Sequence, residues 1–392
     1  MEIGELETHL RRGGAATLNH PATYSVASGG LVAPARYAGR SGSEFVFETR
    51  YLDGEFRSTV LIDSKQSQSN RSEDGLLTAR REGGPAAAIP TLSVVYPQRA
   101  LADLELPHRA FDAHVRAATQ EGKPVVKQDW YQALRGSSLA DLSPIFTASP
   151  ATIAFGGWDS SRKSGQLRLR SQFVSELFGV VSDDENRLSR RSGARLDPLG
   201  QDFHLKPDEF ERLLEGQHEE MSEKKVKQLE GEIAKARKAK GETTISASSL
   251  GLGGVPPSLE TAYGVSVPEV RRARTYSLAG LRRLRFGESA DDDVCARMAL
   301  MGMLVLGAAY ADADPEIRAY CDVSAPSGRV FLDEEEAELN LSIAECTKFL
   351  SDAIDGLPSR LRWAGDAIEV DGDPALDRGA IDAEAGDDAE SG

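Results

Sequence analysis

Two runs early in the chain, EFVFETRYL (44–52) and FRSTVLIDS (56–64), are rich in aromatic and β-branched residues and flank Asp53-Gly54-Glu55, which predicts a β-hairpin. The second run passes abruptly into small polar residues, VLIDSKQSQSNRSE (60–73), and a helix is expected to begin within SQSNRSEDGLL (67–77). Residues 1–30 read as lightly structured. Residues 100–122 place Phe111, Val115 and Ala118 at helical spacing, with Pro107 at a helix start or break. PATIAFGGW (150–158) reads as a short buried strand, and RSQFVSELFGVV (170–181) as a helix with Phe173, Val174, Leu177 and Phe178 on one face. Residues 182–206 are polar and irregular. Residues 206–241 read as one or two charged helices with a thin stripe of Val226, Leu229, Ile233 and Ala236. A Gly/Pro-rich loop (246–258) and a long apolar helix (291–311) follow, the helix opening on Asp291, Asp292 and Asp293 as the macrodipole favours. Strands and helices alternate irregularly, without internal repeat, so the expected class is α+β with large insertions.

Length and composition narrow this picture. A chain of 392 residues, 40% apolar, suffices for one large domain with insertions or for two domains. No run of about 18 apolar residues is apparent, so no transmembrane helix is expected. The polar, acidic start does not resemble a signal peptide. Cys295, Cys321 and Cys346 are scattered, which fits a reducing cytoplasm and no disulfide framework or cysteine-based zinc site. The net charge of −16 argues at first against a nucleic-acid partner, but residues 365–392 hold ten acids against Arg378. That tail reads as disordered and solvating, and a polyanion responds to the local field rather than the total.

Local basic clusters are present. Where the strand ends at Ser64, a helix start would expose unsatisfied N–H groups, and Lys65, Gln66, Ser67, Gln68, Asn70 and Arg71 would add donors and charge able to hold phosphates. An N-cap followed by a solvated helix explains the same residues. FGGWDSSRKSGQLRLR (155–170) supplies Arg162, Lys163, Arg168 and Arg170. RRARTYSLAGLRRLRF (271–286) supplies six arginines, among them Arg282 and Arg283, with no acid. The alternative for either run is an arginine face paired to the acidic body. Arg190 and Arg191, within 182–206, suit an arm over a nucleic-acid backbone or a solvent loop. Catalytic signals are weak: the six histidines form no metal-ligand spacing, and GLGG (251–254) lacks the Lys-Ser/Thr of a phosphate loop. No cofactor is expected.

LIDSKQSQSNR, LPHRAFDAHVR, SPATIAFGGWDSSR, SGARLDPL and SLAGLRRLRF occur in one order. Together they resemble the backbone subunit of type I-G (formerly I-U) CRISPR Cascade, the Cas-seven group of RAMP proteins, over about residues 30–330. The resemblance implies an RRM- or ferredoxin-like palm (1–84, 146–181 and 241–364), a helical fingers insertion (85–145), a β-hairpin thumb (182–206), a charged helical insertion (207–240) and an acidic tail (365–392). It also implies copies that stack along the crRNA, present it to target DNA and contact other Cascade subunits, a Cas-five-like protein and the large subunit, with no membrane partner. Lys65, Gln66, Ser67, Gln68, Asn70 and Arg71 match the guide-gripping turn. Arg162, Lys163, Arg168 and Arg170 match the approach to the thumb, and Arg282, Arg283 and Arg285 match the family's arginine-pair region, which touches RNA or supports the palm. The aromatic signature of ordinary RRM proteins is absent, so the sheet is not expected to read bases by stacking. Set against this non-catalytic reading are a ribonuclease using Asp63, Asp159 or Asp197, and a protein-binding scaffold whose arginines form internal pairs.

Overall fold

A computed structural model describes residues 3–27, 29–39, 42–160, 166–181, 188–189, 198, 203–239, 241, 243–254, 263–287, 289–365 and 367–377. Its packing divides the chain into two units, residues 1–187 with 265–377, and 188–264 with 378–392.

The first unit is organised by a nine-stranded sheet whose main path is β1 (Thr17–Asn19), β2 (Phe47–Leu52), β3 (Glu55–Asp63), β4 (Phe173–Val180), β5 (Glu269–Ser277), β6 (Val330–Leu332) and β7 (Glu335–Ala337), in the order β7-β6-β1-β5-β4-β3-β2, with Ala22–Tyr24 added on β5 and Ser327–Gly328 on Ala22–Tyr24, and antiparallel pairing throughout. The expected hairpin is β2–β3. Tyr51 faces Phe56, and the reversal falls on Asp53 and Gly54, both at positive φ (53° and 85°), which Asp tolerates and Gly adopts at no steric cost.

Register assigns the faces of the sheet. Phe173, Ser175 and Leu177 of β4 stand opposite Tyr276, Arg274 and Arg272 of β5, and all six are buried. Two helices cover this face: α1 (Lys65–Glu82), from which Gln68 meets Ser175 at 3.0 Å, and α2 (Ala290–Ala313), from which Asp312 meets Arg274. On the other face Val174 is 44% exposed opposite Thr275. α1 and α2 touch backbone to backbone: a Cβ on Gly75 would lie 2.4 Å from the Gly307 carbonyl oxygen, and one on Gly307 would lie 2.3 Å from that of Ser72. This contact explains the lack of bulk along SKQSQSNRSEDG. Ser69, Ser72 and Glu73 are buried polar positions whose side chains are satisfied inside, Ser69 by Glu73 and Ser72 by the Gln68 carbonyl.

Mixed helix and strand content bears out the α+β class. Several local readings are corrected. Residues 173–180 are the strand β4, not a helix. Its outer Phe178 is buried beneath Arg50, whose guanidinium lies 4.3 Å from the ring centroid, so both faces are covered and the period of two is lost. PATIA is a helix (Pro150–Ala154) rather than a strand, because Pro150 occupies its first turn, where a missing N–H costs nothing. Residues 100–122 break into 3-10 turns and the short helix Ala113–Ala117, with Arg109 at φ 48°. The start of the chain is more ordered than expected, its helix Leu6–Leu10 burying both leucines. α2 is, by length and composition, apolar enough to cross a membrane, contrary to expectation, but 78% of its most apolar window is buried in the fold. The acidic tail begins later than 365. Ala367–Asp371 pairs in parallel with Thr91–Val95, because Ile368 and Val370 alternate with the acids, and Pro374–Asp377 is helical. Residues 378–392 lie outside the described residues.

The second unit contains the two expected charged helices, Pro207–Gln217 and Glu223–Lys238. They close a small core of Phe210, Leu214, Leu229, Ile233, Ile245 and Leu250. Arg237 bridges Glu211 and Asp208, each at 2.6 Å.

Candidate nucleic-acid interface

The start of α1 follows directly from β3. Ser64 caps the helix, its hydroxyl accepting from the Ser67 N–H at 3.2 Å, and the first turn has no acidic residue. The positive helix end therefore stands beside Lys65. Lys65, Gln66 and Asn70 are exposed and Ser67 is half-buried; Gln66 donates to Asn70 at 3.0 Å. Gln68 and Arg71 turn inward. The carboxylate of Asp63, fully buried, accepts from Gln68 (2.8 Å), Arg71 Nε (3.0 Å) and Arg318 (2.8 Å), and the Arg71 terminal nitrogens reach the carbonyls of Glu316 and Ile317. Six residues grouped by sequence thus separate into an outer set and an inner set that ties the strand end to the segment after α2.

A second element is the ribbon Gly157–Trp158 with Arg168–Leu169, in which Trp158 and Arg168 are direct partners. Leu167 and Leu169 are buried while Gln166, Arg168 and Arg170 face solvent, a strict alternation. Arg168 lies over the Trp158 ring, 5.4 Å from its centroid, and Arg170 donates to Ser277 Oγ at 2.5 Å. Arg162, Lys163, Arg190 and Arg191 lie outside the described residues.

Most of the basic run 271–286 is paired. Arg271 meets Asp53 (2.7 Å) and Glu269 (2.8 Å), and Arg285 meets Asp293 (2.7 Å). Arg272 and Arg274, 1% and 3% exposed, share Asp312. Arg282 donates to the carbonyls of His9 (2.6 Å) and Ala15 (2.5 Å), which holds the N-terminal segment to the turn after β5. Arg283 is exposed and has no ion-pair partner among the described residues. The internal-pairing reading therefore describes Arg271, Arg272, Arg274 and Arg285. Lys65, Arg168, Arg170 and Arg283 remain turned outward.

His20 lies against this buried cluster, its Nδ1 3.3 Å from Arg272 Nη2. Burial, and then Arg272 and Arg274, lower its pKa to about 3. Above the ordinary histidine value both folded and unfolded chains leave it neutral. Below that value the unfolded chain takes a proton that the fold refuses, so stability falls as pH drops from about 6.5 towards 3, approaching about 1.4 kcal/mol per pH unit. His20→Gln is expected to flatten this loss, measured as the change in urea midpoint between about pH 7 and about pH 5 against the unsubstituted chain.

The motif LPHRAFDAHVR is structural. Arg109, buried, donates to Glu73 of α1 and to the Gly156 carbonyl (2.7 Å), joining the helix to the glycines before Trp158. Asp112 caps the next helix by accepting from the His114 N–H at 3.0 Å. Of the acids considered for cleavage, Asp63 is committed as described and Asp159, 1% exposed, pairs with Arg135 at 3.1 Å; Asp197 lies outside the described residues. Sequence reasoning missed the Trp158–Arg168 pair. The signal was the tryptophan directly after two glycines, ahead of the alternation Gln166, Arg168, Arg170 with Leu167 and Leu169.

Residues 18–183 match the model of a family described as CRISPR-associated protein GSU0053, a span that covers less than half of the chain and includes both α1 and the Trp158 ribbon. The match supports a Cas protein with a role in CRISPR defence and interaction with other Cas components. No curated protein matches the chain significantly.

Proposed function

We propose that this chain is a non-catalytic, cytoplasmic guide-RNA-binding subunit of a type I-G Cascade, which polymerises along the crRNA spacer and presents it for pairing with target DNA. The observation that carries the reading is the coincidence of the family match with outward cations: Lys65, Arg168 and Arg170 all lie within residues 18–183, and among the described residues none is spent on a carboxylate. In this reading the palm is the main sheet backed by α1 and α2, and the fingers are 85–145, completed by Ala367–Asp371. The thumb is 182–206, and neighbouring copies, the Cas-five-like protein and the large subunit complete the assembly. Grip through phosphates fits cationic and small polar side chains, while base pairing supplies specificity.

The test is RNA binding by the full chain at several salt concentrations, with a crRNA bearing CRISPR-repeat ends. Lys65→Ala with Arg283→Ala is expected to weaken binding and to reduce the slope of log affinity against log salt by about 0.7 for each phosphate contact removed. Unchanged affinity and slope would remove these residues from the interface. Arg71→Ala is unsuitable for this purpose, because it strips the buried Asp63 of a partner.

A further inference from the structure

We infer that Trp158 and Arg168 form a stacking platform for an unpaired base of single-stranded RNA, with Arg170 placed for the adjoining phosphate; this rests on the guide-binding reading above. Trp158 is 42% exposed, with the Arg168 guanidinium on its ring. An indole and a guanidinium plane are the two side-chain surfaces on which splayed bases stack without regard to sequence. Arg170 leaves the ribbon on the same side, and among the described residues its one side-chain bond, to Ser277, leaves most of its donors unused.

The platform is held rigidly. Arg109 grips the Gly156 carbonyl, and Gly156 has φ 95° in a position where a Cβ would lie 2.8 Å from the Ser171 nitrogen. Gln172 N–H donates to the Ala154 carbonyl at 2.9 Å, Asp159 N–H donates to that of Leu167 at 3.0 Å, and Arg135 fixes the Asp159 carboxylate. The exposed aromatic pair Tyr51 and Phe56 at the β2–β3 turn is, by contrast, ringed by neutralised arginines: Arg50 with Glu48, Arg57 with Glu55 and Arg271 with Asp53. A polyanion gains nothing there. At Trp158 neither Arg168 nor Arg170 makes an ion pair among the described residues, so a phosphate-bearing partner meets net positive charge. The sheet need not carry a stacking signature if the ribbon beside it does.

Intrinsic fluorescence reports the contact directly. The chain has three tryptophans, of which Trp363 is buried with its Nε1 on the Phe146 carbonyl and Trp130 is half-buried with its Nε1 on Gln120. The full chain is titrated with an end-labelled oligoadenylate, reading label anisotropy and tryptophan emission together. Expected are rising anisotropy with quenched emission, quenching retained in Trp130→Phe and lost in Trp158→Leu, and binding weakened about fivefold or more in Trp158→Leu. Arg168→Gln is expected to weaken binding too, and a duplex of the same length to leave emission unchanged. Rising anisotropy without quenching, equal quenching by the duplex, or undiminished binding by Trp158→Leu would overturn the platform and leave guide binding standing. No rise in anisotropy at all would overturn both.

Discussion

Asp312→Ala is expected to cost the fold about 3–5 kcal/mol, the usual consequence of leaving a buried charge without its partner. The site is more exposed to this loss than a simple pair. Arg272 and Arg274 leave β5 at alternate positions towards α2, are almost wholly buried, and are both answered by one carboxylate. Arg274 binds it in fork geometry, Nη1 at 2.8 Å from Oδ2 and Nη2 at 2.9 Å from Oδ1. Burial alone would raise the Asp312 pKa, yet Arg274 and Arg272 hold it below the ordinary value. The remaining neighbours, the Tyr24 hydroxyl at 3.0 Å from Arg272 and neutral His20, are acceptors without charge. Removing Asp312 would leave two guanidinium groups repelling each other in a low-dielectric interior. A total stability of typical size, about 5–15 kcal/mol, would survive this poorly. The check is the urea midpoint of Asp312→Ala beside the triple replacement Arg272→Met, Arg274→Leu, Asp312→Leu, which is expected to recover a large part of the loss. A loss below about 1 kcal/mol in Asp312→Ala would mean that water reaches the arginines and that the cluster is not a buried one.

Gly75→Ala is expected to destabilise, whereas the same replacement at Gly231 is expected to stabilise. Within a helix, Ala normally gains about 1 kcal/mol over Gly. Gly231 lies mid-helix in Glu223–Lys238 with nothing near a new Cβ, so the intrinsic gain should appear in full. At Gly75 the new methyl would meet the Gly307 carbonyl oxygen at 2.4 Å and the Tyr310 Cβ at 3.0 Å. The first obstacle is backbone, which no rotamer change relieves, so the two helices must move apart. Overpacking of this kind costs about 1–3 kcal/mol. Gly75→Val should exceed Gly75→Ala, and thermal unfolding followed by circular dichroism orders the variants. A stabilised Gly75→Ala would mean that α1 and α2 do not cross here.

Elements whose pattern is local were legible in the sequence: the Asp-Gly hairpin, the long apolar helix behind three aspartates, and the charged helices of the second unit. Those that failed depend on what covers them. β4 imitates a helix because Arg50, from another strand, buries its outer Phe178. The helix Pro150–Ala154 imitates a strand because it is short and wholly buried. In the candidate interface, residue type identified the basic runs but not their destinations. Arg71 and Asn70 are neighbours in sequence, yet one faces Asp63 and the other solvent. The carboxylate that answers Arg272 and Arg274 lies in a separate helix, a pairing that no spacing within the basic run reveals. Trp158 is silent in the sequence because an RRM-type stacking signature belongs to the sheet, and Trp158 stands on a two-stranded ribbon.

The parallel pairing of Ala367–Asp371 with Thr91–Val95 has a consequence for how the chain is made. Thr91–Val95 leaves the ribosome long before its partner is translated and must wait with one hydrogen-bonding edge unsatisfied. The partner begins only at Ala367, so the edge stays open while the whole of the intervening chain is made. A nascent chain stalled anywhere before that point carries an open, apolar strand edge, which makes it a substrate for chaperones and a seed for aggregation.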